Sequence, residues 1–248
     1  MLNFEGVQWY GAKHLRTGDH TNLQEQAQGM PWLRLFSITS RVVDMIAPTS
    51  SEPLLDTFSD RSGDSRVTAH DWNDLWFDLD GWYAEVPAYF KPYVRYQPSG
   101  HIGVAVGSPE VPFCEILFTT PVAGATMIHY HFTCILLLLK KPIEQLSPVA
   151  QLKSYRDLAK EVENHCLEIC GIAAGRPSAA ARIQIIQPLV LAGQCLEGHQ
   201  KRKGVIQLLR EIEFDIGWPT GQLITQLQQY WGGDDTLPRS PTRSQHHH

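Results

Sequence analysis

The 248-residue chain carries 43% hydrophobic and 19% charged residues, which fits a folded soluble protein and excludes an intrinsically disordered one. A chain of this length buries roughly 70% of its unfolded surface, enough for one large or two small domains without disulfide or metal staples. Its 21 basic against 26 acidic residues leave no cationic surplus for phosphates, so direct nucleic-acid binding is not expected.

Residues 1–30 are weakly patterned, with Gly6, Gly11, Gly18 and Gly29 interrupting any helix. They contain neither the basic region nor the apolar run of a signal peptide. A helical region is expected over 31–231. Pro31 suits a first helical position, and Trp32, Leu35, Phe36, Val42, Val43 and Ile46 recur at helical spacing toward Pro48. Residues 48–66, rich in Ser, Asp and Pro, read as a loop.

The next segment is strongly periodic. Trp72, Leu75, Trp76, Leu79, Trp82, Tyr83 and Val86 form one aromatic stripe, with Asp71, Asp74 and Asp78 on a solvated face. Thr68 is the predicted N-cap, and Pro87 and Pro92 disrupt the helix. Residues 91–112 read as a Pro- and Gly-rich loop, and 113–118 as an extended piece.

Thr120-Pro121 starts the next helix, which runs to Lys140-Lys141 and stops at Pro142. It is apolar on nearly every side in its lower half, so it is expected to be central and buried. The longest uninterrupted apolar stretch in it, 135–139, is too short to span a bilayer, and no membrane association is expected. Ser147-Pro148 repeats the start signal for a long helix to Gly175. A further helix runs from Ser178 to about Leu196 with Pro188 inside it, where a kink or a split is expected. Val205, Leu208, Leu209, Ile212 and Ile216 define another helix ending near Gly217, and Thr220 is placed to cap a last one reaching Trp231. The polar tail 232–248 is expected to be disordered, and the three histidines that end it read as a tag remnant. No segment alternates convincingly with period two across several strands, so the fold class is all-α: antiparallel helices in a bundle or curved stack.

Four stretches then become familiar. His129-Tyr130-His131 leads through Ile135 and four leucines to Lys141-Pro142. His165-Cys166-Leu167-Glu168-Ile169-Cys170-Gly171-Ile172-Ala173 follows, then Gln187-Pro188-Leu189 with Ala192-Gly193-Gln194-Cys195-Leu196. Last come Leu208-Leu209-Arg210-Glu211-Ile212-Glu213 and Gly217-Trp218-Pro219-Thr220. In this order over 129–220 they resemble the C-terminal regulatory domain of fungal zinc binuclear cluster transcription factors. The resemblance implies an all-helical domain that senses, dimerises or represses in pathways such as secondary metabolism, in the nucleus or cytoplasm. The sequence departs from the full pattern in one respect. The binuclear cluster needs six closely spaced cysteines, whereas Cys114, Cys134, Cys166, Cys170 and Cys195 are scattered and suit reduced thiols.

The residues carry little conventional catalytic chemistry. His129 and His131, at i and i+2, point to different faces and cannot share a metal easily. His165 has Ile169, not a second ligand, one turn on. Cys166 and Cys170 fall on an apolar stripe and read as core. There is no Gly-rich phosphate loop or nucleophile elbow, and neither cofactor nor metal is expected. The aromatic supply suggests a candidate apolar pocket formed by Trp76, Trp82, Tyr83, Tyr89, Phe90, His129, His131 and Trp218, although core filling accounts for the same residues.

Two functional readings follow. One is a stand-alone regulatory domain without a DNA-binding module, acting on a small apolar molecule, a protein partner or a second copy of itself. The other is a recruited biosynthetic enzyme, a pericyclase or cyclase of the Diels-Alderase kind, shaping a terpenoid or polyketide by orientation alone.

Overall fold

The structure, a computed structural model, describes residues 30–47, 68–97, 112–142 and 147–234. The readings made for 1–29, for the 48–66 loop, for 98–111 and for the tail beyond 234 lie outside the described residues, whereas 232–234, expected in that tail, continue the last helix. Within them the fold is mainly all-α: α1 (Pro31–Ile46), α2 (Ala69–Glu85), α3 (Pro121–Leu139), α4 (Pro148–Ala174), α5 (Ala179–Cys195), α6 (His199–Ile216) and α7 (Gly221–Asp234). One small feature interrupts the helices. Residues 94–96, read above as loop, form strand β1 (Val94–Tyr96), antiparallel to β2 (Glu115–Leu117) with Arg95 opposite Ile116. Three-residue strands are too short to show an alternation pattern, which is why only the second was visible as an extended piece.

Local chemistry sets the helix ends. Pro31, Pro121 and Pro148 each open a helix, where the missing N–H costs nothing. The side chains of Thr68 and Thr120 accept from the backbone N–H groups of Asp71 and Ala123. Gly217 adopts φ 71°, the left-handed conformation that ends α6 without a Cβ clash. The Pro188 helix does not split: α5 is continuous through it, with the proline buried.

α3 is the hub. Ile128, Ile135, Leu137 and Leu138 are almost wholly enclosed, and α1, α4 and α5 all pack against it. The helix is long and apolar enough to cross a membrane by length and composition, a property the reading of 135–139 alone understated. It is nevertheless mostly buried inside the protein, as a core helix is.

Indole and hydroxyl groups pin α1 and α2 to this hub and to each other. Trp72 Nε1 donates to the Leu137 carbonyl at 2.7 Å, and Trp82 Nε1 to the Pro31 carbonyl at 2.7 Å. The buried Thr39 and Thr133 hydroxyls pair at 2.8 Å between α1 and α3. Ile38 and Thr39 take the inward places on α1, while Val43, expected in the core stripe, faces outward. The acidic face of α2 behaves as expected for a solvated one: Asp71 lies at the cap, Asp74 beside His70, and Asp78 pairs with Arg41 of α1.

At the C-terminal end, the Thr220 hydroxyl does not serve its own helix. It donates toward the Leu209 carbonyl (3.1 Å) and the Glu213 carboxylate (2.8 Å), and its backbone N–H donates to the same carboxylate. Glu213 thereby locks the turn between α6 and α7. Gly193 of α5 has the same kind of architectural role: a Cβ there would sit 3.1 Å from Val205 and 3.3 Å from Leu227. Trp231 closes the joint by donating to the Gly193 carbonyl at 3.0 Å.

Candidate functional site: an aromatic and histidine seam beneath the hairpin

The sequence places Tyr130 and His131 side by side on α3, and helical spacing turns both toward the groove between α2 and α4. There Tyr130 stacks on Tyr83 (centroids 4.7 Å apart) and on Trp82 (5.5 Å). His131 meets His165 of α4, with Nδ1 to Nδ1 2.9 Å apart. On its far side, His131 Nε2 lies 3.8 Å from Glu168 Oε2. Glu168 is in turn gripped by both guanidinium nitrogens of Arg95 on β1, at 2.6 and 2.8 Å. The seam therefore runs from the buried Trp82 to a solvent-facing Arg95.

Its electrostatics follow from that gradient. Burial, helped by the closeness of the second ring, His165, and of the Arg95 guanidinium, holds His131 well below the usual histidine range. Burial brings His165 down to about 4, with Glu168 pulling the other way. Both rings are thus neutral at pH 7. A neutral pair at hydrogen-bond distance must use one donor and one acceptor nitrogen. The Glu168 carboxylate favours a proton on His131 Nε2, which leaves His131 Nδ1 to accept from His165 Nδ1–H. His165 Nε2 is then a bare acceptor, able to take a hydrogen bond or a proton. Burial also pushes the Tyr130 phenol far up, so it remains a neutral donor, in reach of Cys134.

The hairpin that delivers Arg95 is seated by small residues. A Cβ on Gly171 would approach the Cys114 carbonyl to 2.5 Å and the Ile116 side chain to 2.7 Å. Gly175 is similarly covered by the Ile116 carbonyl. These two glycines, one within α4 and one capping its C-terminal end, let β2 lie directly on the helix.

Of the residues proposed from sequence, the structure brings Trp82, Tyr83 and His131 together. His129 faces elsewhere, against Phe36 of α1 (4.8 Å) and Gln184 of α5, and burial lowers its pKa. Trp76 stacks on Trp72 at 5.2 Å, toward the other end of α2. Tyr89 and Phe90 border a shallow cleft of about 260 Å³ with Trp32 and Val122. Trp218 stands half exposed at the α6–α7 turn. Trp82, at 2% exposure, fills space rather than lining it.

Sequence reasoning missed His165, Glu168 and Arg95. It searched for a partner to His165 along its own helix, whereas the partner comes from α3. The spacing of His165 and Glu168 at i and i+3 was the available signal, since it puts both on one face. Arg95 gave none. Among the described residues no three His, Cys, Asp or Glu side chains gather as metal ligands.

No family model matches the chain, and no solved structure matches it. The chain is similar to the transcription activator AMTR1 of Alternaria alternata, with 28% identity over 205 residues that make up 81% of this chain and 26% of that protein. It therefore spans about a quarter of the length of the curated relative it matches.

Proposed function

We propose that the chain is a transcription-factor-like regulatory domain that works in secondary metabolism, in the nucleus, through a small apolar molecule or a protein partner rather than through DNA. The observation that carries this reading is its similarity to a transcription activator over four-fifths of its length. The resemblance over 129–220 supports the same lineage, and the net charge of -5 argues against a duplex partner. The motif residues have architectural work: Gly171 seats the hairpin, Gly193 admits α6 and α7, and Glu213 ties Thr220. A helical scaffold held in this way can carry a regulatory surface.

The test is deletion of the gene in its host, with pathway transcripts and metabolites measured together. The expected result is a several-fold fall in transcripts across one biosynthetic pathway, with its intermediates falling in parallel. Unchanged transcripts with accumulation of an uncyclised precursor would overturn the regulatory reading in favour of a recruited cyclase.

A further inference from the structure

We propose that the cleft between the first turns of α1 and α3 and the 3-10 turn Ala88–Phe90 is a docking groove for a proline-rich segment of a partner protein. Trp32, Tyr89 and Phe90 line it with Met30, Pro31 and Val122, enclosing about 260 Å³. Phe90 is buried and forms the floor, while Met30, Tyr89 and Val122 stand about half exposed at the rim. None of the lining residues is charged.

The polar groups at this cleft are unequally used. The carbonyls of Met30, Pro31, Tyr89 and Val122 already accept, from the Leu33 N–H, Trp82 Nε1 and the hydroxyls of Thr119 and Thr126 respectively. The donors are open. Among the described residues the Trp32 indole N–H and the Tyr89 hydroxyl have no acceptor, their contacts being with the rings of Phe36 and Phe90. Trp72, Trp82 and Trp231, by contrast, each donate to a backbone carbonyl at 2.7, 2.7 and 3.0 Å.

A cleft that offers aromatic rings and hydrogen-bond donors, without charge, is matched by a ligand that brings apolar surface and acceptors but no donors. Proline is that residue: its ring is apolar, its carbonyl accepts and its nitrogen carries no hydrogen. A polyproline II segment makes no internal hydrogen bonds, so its carbonyls stay available, and its preformed backbone loses little entropy on docking. A helical partner would arrive with its carbonyls used, and a strand would bring N–H groups that find few acceptors here. A small apolar molecule needs more enclosure than a cleft with a half-exposed rim gives. The proposal names the partner within the regulatory reading and rests on it for cellular use; binding is measured on the isolated chain, so each can fail alone.

The test titrates a decaproline peptide into the nitrogen-15-labelled full chain and follows the indole N–H signals of its seven tryptophans by NMR. The expected result is saturable binding by millimolar peptide, with a shift of the signal that is missing from Trp32→Phe. A peptide with alanine at alternate positions, which restores N–H groups, should bind about tenfold more weakly. Tyr89→Phe, which keeps the ring and removes the hydroxyl, should weaken decaproline binding about fivefold. Val122→Glu, at the exposed rim, should abolish it. No shift at millimolar peptide, a shift confined to other tryptophans, equal binding of the alanine peptide, or unchanged binding to Val122→Glu would overturn the proposal. Nile red, a neutral apolar dye, supplies the alternative: binding of the dye that Val122→Glu removes, with no binding of the peptide, would assign the cleft to a small molecule instead. The wild-type titration decides the matter even if a variant fails to fold, because it uses the unaltered chain.

Discussion

The seam under the two strands and the joint at the C-terminal end are both closed by polar contacts between helices, but they differ in what those contacts can exchange. At the joint, Trp231 donates to the Gly193 carbonyl and Thr220 to the Glu213 carboxylate. In the seam, His131 of α3 meets His165 of α4, two like groups in surroundings that penalise charge, and the pair settles it by letting one ring donate to the other. The histidines reach water through Glu168 and Arg95, so protons are what disturb them. Their sensitivity is set by the neighbouring elements rather than by the rings themselves.

The largest effect on the histidine side should come from its floor. Trp82 is enclosed, stacks on Tyr130 and spends its indole N–H on the Pro31 carbonyl. Trp82→Ala should cost about 3–5 kcal/mol in urea unfolding. A loss below about 1 kcal/mol would mean that the seam is not part of the core.

Acid should separate the two regions next. An unfolded histidine titrates near about 6.5, and folding lowers His165 to about 4. The unfolded chain therefore binds the proton first as pH falls. The stability at stake is intact above about 6.5, drains between about 6.5 and about 4, and levels off below. By pH 4 His165 alone should account for roughly 3 kcal/mol, and His131 shifts in the same direction. Urea midpoints at pH 7 and pH 4.5, compared with those of His165→Gln, isolate this contribution from the carboxylates. An equal pH dependence in the variant would contradict the neutral pair.

Smaller changes sharpen the picture. Gly171→Ala forces a methyl onto the Cys114 carbonyl and should cost about 1–3 kcal/mol, with faster amide exchange in the hairpin. Arg95→Ala removes a half-exposed pair and should cost no more than about 1 kcal/mol.

Much of this fold could be read from the sequence, because proline starts, threonine caps and the α2 stripe are local signals. Thr68, Thr120, Pro121 and Gly217 sit where those rules place them. The site was legible only in part. Trp82, Tyr83 and His131 announce an aromatic groove, but the His131–His165 pair joins residues 34 apart, and the Arg95–Glu168 pair residues 73 apart. No periodicity reports such contacts. Thr220 shows the same limit from the other direction: a residue suited to cap its own helix is taken by Glu213 of the preceding one.

The regulatory reading is tested most directly by tethering the chain to an unrelated DNA-binding module above a reporter gene in a filamentous fungus. The expected result is a several-fold change in reporter transcript that depends on the fused chain and disappears with Trp82→Ala. An unchanged reporter, with the fusion expressed, folded and present in the nucleus, would contradict it.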